Sequence, residues 1–389
     1  MKQVTLKLTA LVMLMGGAIT VANAQTDADP INVVTTAVPF LRISPDARSG
    51  GMGDVGIATS ADANANFWNL AKTPFAKSKA ALAVTYTPWL NDLKLNDVYL
   101  ASLAGYYKID EMSAISASLR YFSLGSIQFT DFSGSPIRTF RPREFGIDLG
   151  YSRKLGKKSG LGVAIRYISS DLAGGSDNLN GVSYKKGTAI AGDLHYYHNG
   201  TNEAGNGFNW GVTLSNLGSK IGYTDDASQK DYIPANFGVG IAYNKAVDAD
   251  NKLTFALDLN KLLVPTPPTS QAAAADSSGN LLKDYRSKGV VSSWFSSFGD
   301  ADGKNGEIKE VTVSVGAEYW YKEQFAFRAG YFFENKLKGD RRYFTLGAGL
   351  KYNMFGLNFA YLLPTGSGVN RNPLSNTVRF SLLFDLDKK

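Results

Sequence analysis

From about Ala81 to the C-terminus, apolar and polar side chains alternate in segments of roughly ten residues separated by turn-forming runs. A period of two sends successive side chains to opposite faces of a strand, so each segment builds a sheet that is apolar on one side and polar on the other. The clearest segments set Ile115, Ala117, Leu119 and Tyr121 against Ser116, Ser118 and Arg120, and Phe145, Ile147, Leu149 and Tyr151 against Glu144, Gly146, Asp148 and Ser152. Phe208, Trp210, Val212 and Leu214 oppose Asn209, Thr213 and Ser215 in the same way, as do Leu253, Phe255, Leu257 and Leu259 against Thr254, Asp258 and Asn260. A soluble sandwich would mix registers and strand lengths. Here one pattern recurs, with Tyr or Trp near the ends of the apolar faces, where a membrane interface places them.

Fourteen segments follow this rule: residues 80 to 88, 97 to 107, 112 to 122, 143 to 153, 160 to 169, 189 to 197, 208 to 216, 235 to 244, 252 to 261, 311 to 321, 324 to 333, 343 to 352, 355 to 363 and 377 to 386. The connections alternate in length. Residues 108–111, 154–159, 245–251, 322–323 and 353–354 are short, with 198–207 looser, whereas 89–96, 123–142, 170–188, 217–234, 262–310, 334–342 and 364–376 are long. Outer-membrane barrels pair short periplasmic turns with long external loops, so both termini are expected on the periplasmic side.

After residue 24 no apolar run reaches the length of a membrane-spanning helix, which leaves a closed barrel as the spanning structure that satisfies every backbone group. The 40 Gly, 20 Tyr and 22 Phe, with a mean hydropathy of −0.14, suit such strands, and helical periodicity is almost absent. The expected fold is all-β: a 14-stranded antiparallel transmembrane β-barrel over residues 80–389 with a short N-terminal plug segment at 25–79. That plug segment lacks alternation but carries Phe67, Trp68, Leu70 and Phe75, and the interior of a barrel this wide offers those side chains an apolar place.

Residues 1–24 read as a secretory signal, with Lys2 and Lys7, an apolar stretch from Leu8 to Val21, and Ala22-Asn23-Ala24 as the cleavage pattern. The mature chain is then expected to begin at Gln25. Without cysteine, no disulfide or thiol chemistry enters. The net charge of +7 is dispersed rather than gathered into a basic stripe, which argues against nucleic acid as a partner.

Several motifs invite chemistry. Gly51, Gly53 and Gly56 match the dinucleotide fingerprint letter for letter but lack its strand-turn-helix setting, so tight turns in the plug are expected instead. Asp300, Asp302, Asn305 and Glu307 could chelate calcium, although Asn305 and Val311 break the EF-hand spacing and a solvated loop fits better. His195 and His198 are the only histidines; His195 is expected on a lumenal face, where a lipid hydrolase could not use it. No catalytic residue, metal ligand or cofactor is expected. Arg120, Asp148, Arg166, Asp193, Asp258, Glu318 and Arg328 also face the lumen, either as a solute pathway or, better, paired with each other or with the plug. In the longest loop, 262–310, Pro265, Pro267, Pro268 and Ala272–Ala275 read as flexible spacer, whereas Trp294, Phe295 and Phe298 offer anchors for a partner or a cover for the barrel mouth.

The run from Phe40 to Phe75, FLRISPDARSGGMGDVGIATSADANANFWNLAKTPF, resembles the N-terminal region of the FadL-like outer-membrane family, most closely its PorV-type branch from the type IX secretion system of Bacteroidetes. The resemblance rests on the Gly-rich stretch followed by Asn66, Phe67, Trp68 and Asn69, and extends through Gly-Val-Thr-Leu-Ser-Asn-Leu-Gly at 211–218. It implies a non-enzymatic outer-membrane protein set among outer-membrane lipids and lipopolysaccharide. Such a protein binds the C-terminal signal domain of exported cargo, associates with the SprA translocon and delivers cargo to a surface complex containing the PorU sortase. A FadL-like channel for hydrophobic small molecules is the alternative, and a lipid A deacylase a more distant one.

Overall fold

The computed structural model describes residues 31–90, 95–131, 133–174, 178–179, 182–226, 229–301, 303–365 and 376–386. The expected signal at 1–24, Asp302 and the end of the charged C-terminal tail lie outside the described residues. Among the described residues eighteen strands follow one another: β1 Ala80–Pro88, β2 Val98–Lys108, β3 Ser113–Leu124, β4 Ile127–Thr130, β5 Pro136–Phe140, β6 Arg143–Lys154, β7 Ser159–Asp171, β8 Asn178–Leu179 and β9 Val182–Ser183 make the first half. The second half is β10 Gly187–His198, β11 Gly207–Gly218, β12 Asn236–Ala246, β13 Asn251–Leu262, β14 Thr312–Tyr321, β15 Phe325–Phe333, β16 Arg342–Tyr352, β17 Phe355–Pro364 and β18 Val378–Leu386. Fourteen of them close into one antiparallel barrel in which each strand pairs with its neighbours along the chain and β1 seals the ring against β18. These fourteen coincide with the alternating segments to within two residues at either end.

The pairing register explains why alternation survives around the ring. Leu103 lies across from Leu119, Leu119 from Ile147, and Leu149 from Ile165, so outward apolar side chains form continuous rows. The same register sets Ser118 across from Asp148, Asp148 across from Arg166 and Glu318 across from Arg328, which collects the charges on the inner face. The molecule is therefore inverted relative to a water-soluble protein. Arg120, Arg379, Lys72 and His195 rank among its largest fully buried side chains, while Leu149, Ile165, Phe327 and Phe344 are each more than half exposed. An apolar belt of that extent is stable only against hydrocarbon.

Short connections turn tightly at one end: Lys322 and Glu323 both adopt left-handed φ, as does Asn353, matching the twist of the strands they join. The long connections carry structure of their own that alternation could not signal. The pairs β4–β5 and β8–β9 form small hairpins outside the barrel. Loop 262–310 contains helices at Ser270–Ala275, Asn280–Ser287, Val290–Ser296 and Gly303–Lys309. The expected flexible spacer at Ala272–Ala275 is thus corrected to a helix. Alanine has the strongest helix propensity, and the Thr269 hydroxyl caps the first turn by accepting the Ala272 amide at 3.2 Å.

Lipid contact gives a direct test. Replacing Leu149, at the middle of β6, with Arg should destabilise the folded barrel by about 2–4 kcal/mol. Leu155→Arg, equally exposed but in the short turn after β6, should leave heat-modifiable gel migration unchanged. Equal tolerance of both changes would mean that no hydrocarbon surrounds the strands.

Candidate functional site

The segment from Val38 to Ala76 runs inside the barrel, folded into 3-10 turns at Pro39–Arg42 and Leu70–Phe75 and single helical turns at Ala47–Gly50 and Ala65–Trp68. Asp46 starts one helical turn by accepting the Ser49 amide at 2.8 Å, and its other carboxylate oxygen takes the Trp68 indole N–H at 2.7 Å. One residue therefore ties the two halves of the segment together.

Glycine sets how closely this segment approaches the wall. A Cβ on Gly51 would stand 2.9 Å from the Gly347 backbone, and one on Gly56 would stand 2.1 Å from the Trp68 ring. Gly53 has φ +72° and lies against the backbones of Tyr331 and Val315, where a Cβ would stand 2.6 Å from the Tyr331 nitrogen. Gly51 and Gly53 lie in the expected tight turn, closed by the Met52 and Asp54 amides on the Ser49 carbonyl at 2.9 Å each; of the three glycines only Gly53 has left-handed φ, and Gly56, outside that turn, is required by close approach. The wall answers with glycines of its own, Gly316 and Gly330 against Met52, and Gly160 and Gly162 against Ala71.

The Asn-Phe-Trp-Asn run is spent on contacts within this interface. Asn66 bonds Ser118 at 3.2 Å and Ser116 at 2.9 Å, and Asn69 donates to the carbonyls of Ile57 and Tyr196 at 3.1 and 2.9 Å. Phe67 lies 5.1 Å beneath the Arg120 guanidinium and packs edge-on against Trp68.

All seven lumenal charges find partners. Asp148 pairs with Arg166 and with Arg120, and Arg166 also reaches Asp193 at 2.9 Å. Glu318 is shared by Arg328 at 2.7 Å and by Arg48 of the inner segment at 2.8 Å. Asp258 accepts the backbone N–H groups of Gly56 and Ile57 at 2.7 and 2.9 Å. Further bolts join segment and wall: Asp54 with Arg379 at 2.8 Å and with the Tyr343 hydroxyl at 2.6 Å, Arg120 with the Leu41 carbonyl at 3.1 Å, and Thr73 with Ser152 at 2.6 Å. Lys72 is buried within the segment, where its ammonium donates to the Gly56 carbonyl at 2.5 Å; burial pushes its pKa down to about 8. Sequence reading named seven wall charges but not Arg379 on β18, and it missed Arg48, Asp54 and Lys72 because nothing in a linear chain announces which irregular residue meets which strand.

His195 is turned inward, and its Nδ1 accepts the Leu70 amide at 2.8 Å, so it serves as a post for the inner segment. His198 lies against Trp210 with ring centroids 5.8 Å apart and stands 3.4 Å from the Ser159 hydroxyl. The two rings do not meet at a common site. Of the calcium candidates, Asp300 is engaged by Thr266, and Glu307 accepts the Ala301 amide and pairs with Lys261 at 2.9 Å, while Asn305 is exposed to solvent.

The loop aromatics separate. Phe298 packs against Phe237, on the outer face of β12, with centroids 6.1 Å apart. Trp294 is half-buried, and Phe295 is 76% exposed. At the same long-loop end a cavity of about 450 Å³ opens between Val33–Thr36, Pro39 and the ends of β12 to β15. The short-turn end is instead closed by the Leu70–Phe75 turn against β6, β7 and β10.

Close approach at Gly53 makes a prediction. Gly53→Ala should loosen the inner segment, seen as faster protease cleavage within residues 32–79 while the barrel stays heat-modifiable. Gly156→Ala, whose Cβ would meet nothing within 4 Å, should leave the cleavage rate at the wild-type value.

A model of the family described as type IX secretion system protein PorV matches residues 25–269. Comparison with curated protein sequences finds no significant match. Among solved structures, the Ralstonia pickettii toluene transporter TbuX aligns with a TM-score of 0.51 at 12% identity, covering 88% of this chain and 98% of that one. The CymD monoaromatic hydrocarbon channel gives 0.51 at 11% identity, with 88% and 97% covered. The Pseudomonas putida toluene transporter TodX gives 0.50 at 10% identity, with 91% and 98% covered. At these identities the likeness is one of fold.

Proposed function

Because this outer-membrane β-barrel belongs to the PorV family of type IX secretion system proteins, we propose that it is a cargo carrier whose long loops bind the C-terminal signal domain of exported proteins. The family match is the observation that carries this reading. It spans the inner segment and the strands through β13, while further partners of that segment, Glu318, Tyr343 and Arg379, lie on later strands. In this reading the short turns and both termini are periplasmic, and the long loops face outward. The partners are the SprA translocon, from which cargo is received, and the PorU sortase complex, to which it is delivered, with lipopolysaccharide around the outer belt.

The geometry supports a carrier in two ways. The inner segment is a plug bolted to the wall through ion pairs and amide-to-carboxylate bonds, which favours a closed lumen over a route for polypeptide. Loop 262–310 presents Phe295 to solvent on a helix anchored through Phe298, the pattern of a preformed aromatic contact. Nothing in this reading calls for catalysis, and His195 is already occupied in holding the plug.

A conduit for hydrophobic small molecules is the second reading, favoured by the cavity of about 450 Å³ at the long-loop end. Native mass spectrometry of the gently extracted protein separates the two. A carrier emerges with protein partners, whereas a conduit emerges with lipid-like ligands.

Phe295→Ala should weaken capture of a signal domain by about 2 kcal/mol, roughly thirtyfold, if this ring is an interface hot spot. The check is a pull-down titration on protein whose heat-modifiable migration is intact. Unchanged capture would move the cargo contact to another loop.

A further inference from the structure

Three cations line the cavity at the long-loop end: Arg42, Lys338 and Arg341. Two are neutralised in place. Lys338 donates to Glu310 at 2.8 Å, and Arg341 grips Glu334 through Nε and Nη2 at 2.7 Å each. Arg42 makes no hydrogen bond or ion pair among the described residues, yet it is half-buried and also lines a smaller cavity of about 70 Å³ deeper in the lumen. Burial and the neighbouring Arg341 pull its guanidinium down to about 10 against the opposing charge of the Glu334 and Asp54 carboxylates, neither of which bonds it. A desolvated, unpaired guanidinium facing open space is a site for an anion, and a planar carboxylate matches its fork of donors.

The neighbouring wall specifies what carries that anion. Val33 to Thr36 run without helix or strand along the cavity, pinned at either end by Asn32 N–H to the Leu337 carbonyl at 3.0 Å and Ala37 N–H to the Tyr232 carbonyl at 2.9 Å. Among the described residues the peptide groups of Val33, Val34, Thr35 and Thr36 have no hydrogen-bond partner. A free stretch of backbone beside a cavity is an edge on which another extended backbone can pair. The cavity also mixes Thr35, Thr36, Asn236, Asn260 and Thr312 with its aliphatic side chains. Asn236 donates to Asn260 at 2.9 Å and Thr312 to the Asn260 carbonyl at 3.4 Å, which leaves the Asn236 side-chain oxygen without a partner among the described residues, a group that a peptide N–H can bond and a lipid tail cannot.

We propose that this cavity receives the carboxyl terminus of an extended polypeptide, with the terminal carboxylate on Arg42 and the preceding residues aligned along Val33–Thr36. That the polypeptide is an exported protein rests on the carrier reading above; the chemistry of the site does not.

The test uses the full chain in lipid nanodiscs and three probes: an N-terminally labelled Val-Thr-Val-Thr tetrapeptide with a free carboxylate, the same peptide as its C-terminal amide, and decanoate. Fluorescence anisotropy should show the acid bound at least tenfold more tightly than the amide. Arg42→Gln should abolish that preference, and Arg42→Lys should restore part of it. Arg42 has no hydrogen bond or ion pair to lose among the described residues, so Arg42→Gln is expected to keep heat-modifiable migration and wild-type protease resistance of the plug. Equal binding of acid and amide, no binding of either, a preference that survives Arg42→Gln, or displacement of the peptide by equimolar decanoate would each overturn the proposal. A pull-down of an intact signal domain on the same proteins separates the two ideas. Loss of capture by wild-type protein with the acid preference intact removes the carrier reading alone, and full capture by Arg42→Gln with no acid preference in wild type removes the carboxylate site alone.

Discussion

The buried ion pairs between plug and wall are the interaction on which the rest of the structure depends. A barrel of fourteen strands is too wide for its own inward side chains to fill, and the inner face of this one is charged. Left without partners, those charges would demand a water-filled channel. Asp148, Arg166, Arg120 and Asp193 pair within the wall, and Arg48 on Glu318, Asp54 under Arg379 and the Gly56 and Ile57 amides on Asp258 supply the remaining partners from the plug. Each bond satisfies both sides at once, so the wall specifies the plug's position as much as the plug closes the wall.

That mutual dependence produces an asymmetric molecule. At the short-turn end, Leu70–Phe75 presses against glycine-rich stretches of β7 and leaves little space. At the other end the plug stops short, a cavity opens, and the long loops carry hairpins, helices and an exposed aromatic ring. Recognition chemistry is thus concentrated at one face of a scaffold held rigid from inside. A rigid mount lowers the entropy lost on binding, which suits the carrier proposed above.

How much of this could be read from the chain depends on the range of the interaction concerned. Ile115 to Tyr121 declare a strand and its two faces because alternation is local, and every barrel strand was legible for that reason. The charges at Asp148, Arg166 and Glu318 could be placed on the lumenal face, and their partners within the wall follow from strand register. Arg48, Asp54 and Lys72 were not legible, since their roles depend on how an irregular segment threads the lumen. The helix at Ser270–Ala275 was missed because nearby prolines and a short alanine run resemble a spacer, and its cap at Thr269 is the signal that could have revealed it. Arg42 and its cavity exist only through residues far apart in sequence, from Val33 to Arg341.

Electrical recording of the purified full-length protein in planar bilayers tests most directly whether the plug and its ion pairs close the lumen. The account predicts incorporation without measurable ionic current at neutral pH. Stable conductance steps of the size expected for an unobstructed fourteen-stranded pore would contradict it.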